Sequence, residues 1–255
     1  MNITLQTQDG IGGGPELVSK PWTANAGDTV LVMWAVVSGG GPPQLMTLAT
    51  AGYTWHYSPT FMSADTDITM QGAWALNVPA GTQQFSTSGL GFSAVTYFVF
   101  TISGPNTQDQ LGTSLFPNPA GGPASEITTA GSIAQTGEAA FAWMQAQYST
   151  LATTITAMSG WTTTPVQTNT ANSVNNGAVS YNANAGTAGQ PLTGGWSAFT
   201  NSSGNNIGGQ GILATFAASG VVGLQPGFPK SGRIEEPSEG MQQSNVTPPD
   251  MGTEQ

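Results

Sequence analysis

The side chains able to do chemistry are few and scattered. The chain holds 13 carboxylates, a single histidine and no cysteine. A Ser-His-Asp relay could use only His56 as its base. That residue sits in Thr54-Trp55-His56-Tyr57, an aromatic run that reads as a strand, and no Gly-x-Ser-x-Gly elbow accompanies it. Asp65-Thr66-Asp67 is the one close acid pair ahead of the C-terminal segment. Two loop carboxylates with backbone carbonyls could begin a calcium site, although the ion takes roughly six to eight oxygens. The same spacing suits a solvated hairpin turn, where Asp is common. Glycoside hydrolysis needs two carboxyls about 5–9.5 Å apart across a cleft. Glu126, Glu138, Asp28 and Asp109 are available, yet nothing in their spacing sets two of them on one strand face. Asp28 and Glu138 each follow a glycine in matching turns, which is a structural arrangement. Clustered His/Cys metal sites are excluded by count, and no cofactor is expected.

The cations are just as restrictive. Lys20, Lys230 and Arg233 are the whole set, so the stretch from Pro21 to Pro229 has none. An arginine clamp on phosphate, a Schiff-base lysine and counterion-release binding to nucleic acid are all excluded from that body. Its polar surface must come from Ser, Thr, Asn, Gln and backbone. A neutral surface of this kind suits contact with protein or glycan. Of the seven tryptophans, Trp34, Trp74 and Trp143 lie in apolar strands and are expected in the core. Trp22, Trp55, Trp161 and Trp196 lie near turns. Exposed, Trp55, Trp161 and Trp196 would form an aromatic platform for sugar faces; otherwise they pack the ends of a sandwich.

The elements that must position these residues read as β almost throughout. Expected strands are 3–8, 29–37, 53–57, 68–76, 83–87, 94–102, 139–147, 177–182 and 211–217, separated by Gly, Pro, Asn and Ser clusters. No segment keeps a 3.6-residue period over helical length, and no run reaches the ~18 apolar residues of a membrane span. The N-terminus has no basic residue followed by an apolar run, so a chain made and folded in a cytoplasm is expected.

The chain also repeats itself. Gly72-Ala73-Trp74-Ala75-Leu76-Asn77-Val78-Pro79-Ala80-Gly81-Thr82 and Gly177-Ala178-Val179-Ser180-Tyr181-Asn182-Ala183-Asn184-Ala185-Gly186-Thr187 share the frame GAxxxNxxAGT. Gly27-Asp28 followed by Trp34 echoes Gly137-Glu138 followed by Trp143. Gly52-Tyr53-Thr54 echoes Gly160-Trp161-Thr162, and Ile102-Ser103-Gly104 echoes Ala218-Ser219-Gly220. The expected architecture is an antiparallel β-sandwich over 1–220 with pseudo-repeated halves at about 24–104 and 134–220. The polar, proline-bearing stretch from Pro105 to Ser125 would link them as a linker or long crossover. The halves could be separate sandwiches of about 100 residues or could interleave into one, and the weaker second-half strands favour the single interleaved sandwich.

Ala26-Gly27-Asp28-Thr29-Val30-Leu31-Val32, Ala51-Gly52-Tyr53-Thr54-Trp55 and the Trp74–Thr82 hairpin together resemble a jelly-roll, concanavalin-like module of tailed-phage virion and bacterial surface proteins. The resemblance covers most of residues 1–220 and rests on turns and strands, which mark a fold more than an activity. It implies a non-enzymatic virion protein, assembled in the host cytoplasm, whose partners are capsid proteins or neighbouring copies. A homo-oligomer follows, and a trimer at a capsid symmetry axis fits; nucleic acid and membrane are not expected partners.

Residues 221–255 are read as an extended C-terminal arm. They carry five prolines, five acids and two of the three cations, and such a segment cannot bury enough apolar surface to fold alone. The expected partner-binding residues are Lys230, Arg233, Ile234, Glu235, Glu236, Pro248 and Pro249. The function expected is a capsid decoration or cement protein that grips neighbouring subunits through this arm. The alternative is a receptor- or carbohydrate-binding module of a tail fibre or cell-surface adhesin.

Overall fold

Thr29–Val37 is unbroken apolar sequence from Val30 onward, and such a strand has to be covered on both faces. All nine of its residues are buried. Ile68–Ala75 is buried along its whole length as well. These two strands set the plan of the molecule: a sheet with a layer on each side. The computed structural model describes residues 1–37, 46–62, 68–116, 126–146, 152–168, 176–201 and 209–219. All of them lie within one unit, Met1–Leu224.

The first half supplies β1 (Ile3–Val18), β2 (Trp22–Ala24), β3 (Thr29–Val37), β4 (His56–Tyr57), β5 (Phe61–Met62), β6 (Ile68–Ala75), β7 (Gly81–Gln83) and β8 (Ser86–Ile102). The second supplies β9 (Asn106–Phe116), β10 (Glu126–Ser132), β11 (Glu138–Ala146), β12 (Ala152–Ala157), β13 (Thr162–Thr163), β14 (Gln167–Thr168), β15 (Asn176–Ala185), β16 (Pro191–Asn201) and β17 (Gly209–Ala218). The described residues contain no helix, and so none long and apolar enough to cross a membrane.

Every ladder is antiparallel. The large sheet of the first half runs β1-β8-β3-β6-β4, with β5 also on β6. The large sheet of the second half runs β9-β17-β11-β15-β13, with β14 also on β15. Position for position, the two orders are the same. The small sheets, β2-β7 and β10-β16-β12, differ by one strand.

The two large sheets face each other. Phe100 on β8 meets Phe141 on β11 edge-to-face at 5.2 Å and Tyr181 on β15 at 5.5 Å, while Trp74 on β6 meets Phe216 on β17 at 6.2 Å. The outer face of the first sheet packs under its own half's turns and small sheet, through Trp34 with Tyr57 and Tyr97 with Phe85. The outer face of the second packs against β10 and β16. Ala140, Ala142 and Leu213 cluster there with Ala130, Ile133 and Leu192, and Met144 clusters with Trp196. The result is an all-β antiparallel sandwich with a small layer on each outer side.

The expected interleaving of the halves into one sandwich is not seen among the described residues. Among the described residues no ladder joins a strand of one half to a strand of the other, so the halves share a core without interleaving. The polar stretch expected to be a linker begins with an eleven-residue strand, β9, on the edge of the second sheet. Its Asn, Gln, Thr and Asp residues are tolerable there because an edge strand has one ladder to satisfy. Residues 117–125 lie outside the described residues. β10, β12 and β16 fall where no strand was expected, being rich in Thr and Gly.

Matching hydrogen bonds place the two halves in a register different from the sequence echo. Ser58 N–H donates to Gly72 O at 2.8 Å while Ser58 Oγ accepts from Gly72 N–H at 2.9 Å. Thr164 and Val179 make the same reciprocal pair at 2.8 and 3.0 Å. Gly72 therefore corresponds to Val179, and not to Gly177 as the shared frame suggests. A register shift between Glu138 and Ala140 on the β11–β15 ladder accounts for part of the slip. The tryptophans of the echo do not correspond either. Phe141 and Trp143 share the inner face of β11, whereas Trp34, three residues from inner-facing Leu31, points outward.

Candidate functional site

The carboxylates come first, because they are the chain's main reactive groups. Asp28 follows Gly27, whose φ of 87° closes the turn into β3. Its Oδ2 accepts from the Asn25 backbone N–H at 2.9 Å and from Asn25 Nδ2 at 3.2 Å, and its Oδ1 accepts from Gly104 N–H at 3.1 Å. The buried side chain thereby pins the entry of β3 to the exit of β8. Glu138 occupies the same place in the second half, after Gly137 at φ 79°. It is fully buried, and its Oε1 accepts from Gln135 N–H at 3.0 Å.

Asp109 reaches this corner from β9, where the ladder with β17 slips between Phe216 and Ala214. Bulges of this kind re-aim a side chain. Asp109 Oδ2 accepts from Ala134 N–H at 2.7 Å and Oδ1 accepts from Gln110 Nε2 at 3.1 Å. Burial pushes the Glu138 carboxyl up from the ordinary range, the Gln135 N–H and the Thr215 hydroxyl pull it down, and the neighbouring Asp109 pushes it up again. In the first half the bulge on β1 lies between Leu5 and Thr7 and carries a neutral residue, Gln6. Its Nε2 donates to Thr101 Oγ1 at 2.9 Å and its Oε1 accepts from Thr23 N–H at 3.4 Å.

Sequence reasoning left the acids ungrouped, and the structure groups Asp109 with Glu138. Nothing local in the sequence marks the pair, because the β9 bulge opposite β17 brings Asp109 there through the tertiary fold. The buried setting does not suit hydrolysis, which needs carboxyls lining an open cleft. The Glu126 side chain lies outside the described residues. Asp65 and Asp67 also lie outside them, and among the described residues no three potential metal ligands converge.

His56 is exposed on the edge strand β4, its ring stacked 6.2 Å from Trp74 with 20° between planes. Among the described residues no hydroxyl or carboxylate bonds to it, so no relay is assembled there. The one ion pair among the described residues, Lys20 Nζ to Asp9 Oδ2 at 3.0 Å, sits at the surface.

The three tryptophans expected to form a platform are dispersed. Trp196 is 1 % exposed beneath the outer layer of the second half, so it offers no face to a ligand. Its strand β16 is covered by the second large sheet on that side, which the turn-like Gly194-Gly195 preceding it concealed. Trp161 is half-buried, packed where a side chain on Gly194 would run into its ring. Trp55 is half-buried as well, and it has a partner that sequence reasoning did not pair with it. Tyr53 lies 5.5 Å from Trp55, and Trp22 lies 6.4 Å from Tyr53 on its inner side. Rings continue inward through Phe85, 5.8 Å from Trp22, to Tyr97, 5.3 Å from Phe85. Burial holds the Tyr53 phenol above its ordinary range, with Trp22 opposing and Asp28 adding to the effect. The run Tyr53-Thr54-Trp55 signalled this ledge through its alternation, which puts both rings on one side.

No family model, no curated protein and no solved structure matches the chain. The arrangement of its own residues is what supports a function. The expected arm residues Lys230, Arg233, Ile234, Glu235, Glu236, Pro248 and Pro249 lie outside the described residues.

Proposed function

We propose that the chain is a non-enzymatic structural subunit of a phage virion, a decoration or cement protein on the capsid exterior. The observation that carries this reading is where the acids stand. Asp28, Asp109 and Glu138 are held in strand-entry turns and bulges by backbone N–H groups, so the chemistry available to the body goes into holding the fold. The remaining surface is neutral and suits broad contact with protein. The cations needed for charge-specific attachment are concentrated in residues 221–255, which supports an arm that grips neighbouring capsid subunits or copies. The order of each large sheet, with a half's first and last long strands as neighbours, supports kinship with jelly-roll modules. Gold-conjugated antibody against residues 1–220 tests the placement on intact particles of the encoding phage. Label over the head is expected; label confined to the tail, or absent, would overturn it.

A second reading draws on one observation. The half-buried Tyr53 and Trp55 rings, 5.5 Å apart, form a short aromatic ledge. Ring faces of this kind fit a neutral sugar, which favours a receptor- or carbohydrate-binding module on a tail fibre or cell surface. Quenching of tryptophan fluorescence by neutral oligosaccharides, lost in Trp55→Ala, would support it. An unchanged spectrum across a glycan panel would remove it.

A further inference from the structure

The corner built from Asp109 and Glu138 has too many acceptors for its donors. Glu138 is buried with one oxygen on Gln135 N–H, its Oε2 has no hydrogen-bond partner, and the Thr215 hydroxyl is the one side-chain donor that favours its ionised form. The next backbone N–H along the chain, that of Ala134, is already taken by Asp109 at 2.7 Å. Asp109 stands beside Glu138 and pushes its carboxyl further up. Two carboxyl groups can bond to each other only when one of them carries a proton.

The surrounding elements offer no compensating charge. Asp109 on β9 and Glu138 on β11 are the titratable groups at this corner, and β17 contributes the Thr215 hydroxyl. The turns 133–137 and 186–190 contain no ionisable side chain, and the chain has no Lys or Arg between residues 21 and 229. An ionised Glu138 would therefore be a buried anion beside a second anion, which the fold can avoid by keeping the proton.

We propose that Glu138 and Asp109 hold one proton between them, and that this proton clamps the start of β11 to the β9 bulge. The clamp sits beside Thr215 on β17. At the matching corner of the first half the bulge residue on β1 is the neutral Gln6, so the bulge brings no second carboxyl to Asp28. This corner of the second half is thus built around an acid pair that the first half's corner lacks.

The sign follows from which state binds the proton. A glutamate raised in the folded chain keeps its proton while the unfolded chain loses it, so stability falls as pH rises above about 4.3 and levels off once Glu138 ionises. In the full chain, the melting temperature should fall over that window in the wild type. In Glu138→Gln, which keeps a donor toward Asp109, most of this fall should vanish. Asp109→Asn should also flatten it, and it serves if Glu138→Gln does not fold. Carboxyl-carbon NMR of the wild type gives a reading that needs no variant: one glutamate should titrate later than the rest and lose its shift in Glu138→Gln. Equal pH dependence in the wild type and both variants, or a Glu138 carboxyl titrating with the other glutamates, would overturn the proposal.

Discussion

Phe100 and Phe141 meet edge-to-face at 5.2 Å, and through that contact the two halves of the chain share one core. Phe100 lies opposite Leu31 on the inner face of the first large sheet, and Phe141 lies on the inner face of the second. Both are fully buried. Either residue changed to Ala should lose about 3–5 kcal/mol, since the cavity cannot collapse between two stiff sheets. The double variant should lose less than the sum, by roughly 0.5–1.5 kcal/mol, the coupling expected of a packed aromatic pair. Urea unfolding of the four proteins measures this; strict additivity would mean the rings do not meet.

Ser58 and Thr164 give a test of the correspondence between halves. Each hydroxyl accepts a buried backbone N–H, that of Gly72 or of Val179. Ser58→Ala and Thr164→Val each strand one donor, a loss of about 1–3 kcal/mol. Chemical denaturation should show similar losses at the two sites. A loss at one site alone would deny that the two strand pairs are equivalent.

Gly112 tests the layer between β9 and the outer sheet. A Cβ there would run into the carbonyl oxygen of Thr129, which is backbone and cannot swing aside. Gly112→Ala should destabilise by roughly 1–3 kcal/mol, as overpacking does. Gly14→Ala meets only an ordinary contact, 3.6 Å from Glu16 O, and should fall well short of that loss. Comparing the two melting temperatures separates close approach from the general effect of adding a methyl group.

These glycines show what the sequence made legible and what it did not. The central strands were readable because Val30–Val37 is apolar without interruption and Ala94–Ile102 is broken only by Thr96 and Thr101, as burial on both faces demands. The outer strands were not, because Gly131, Gly194 and Thr-rich β12 look like turn residues. In the fold, Gly131 and Gly194 make room for Gln110 and for the Trp161 ring. The repeat was visible as a pattern of turns, yet its alignment slipped. Turn glycines attract the eye, whereas ladder hydrogen bonds fix register, and a one-residue error puts Trp34 and Trp143 on opposite faces. Asp109 was legible only as an acid in a polar stretch, since its partner lies across a bulge.

Tyr97 offers a test at the alkaline end. Its hydroxyl accepts from Lys20 N–H at 2.8 Å, and burial pushes the phenol up to about 12, with that bond opposing and Asp9 reinforcing the shift. The unfolded chain loses this proton near pH 10 and the folded chain later, so stability should decline from pH ~10 to ~12. Tyrosinate absorbance should show a late phase that Tyr97→Phe removes. A chain whose tyrosines all ionise together while still folded would contradict the buried setting.

The central claim is that the sandwich body is a chemically quiet platform and that residues 221–255 attach it. Binding of the full chain and of residues 1–220 to particles stripped of this protein tests it most directly. The account predicts that the shorter chain stays folded, with an unchanged β-sheet spectrum, and no longer binds. A folded 1–220 that binds as tightly as the full chain would contradict the account and move attachment onto the sandwich itself.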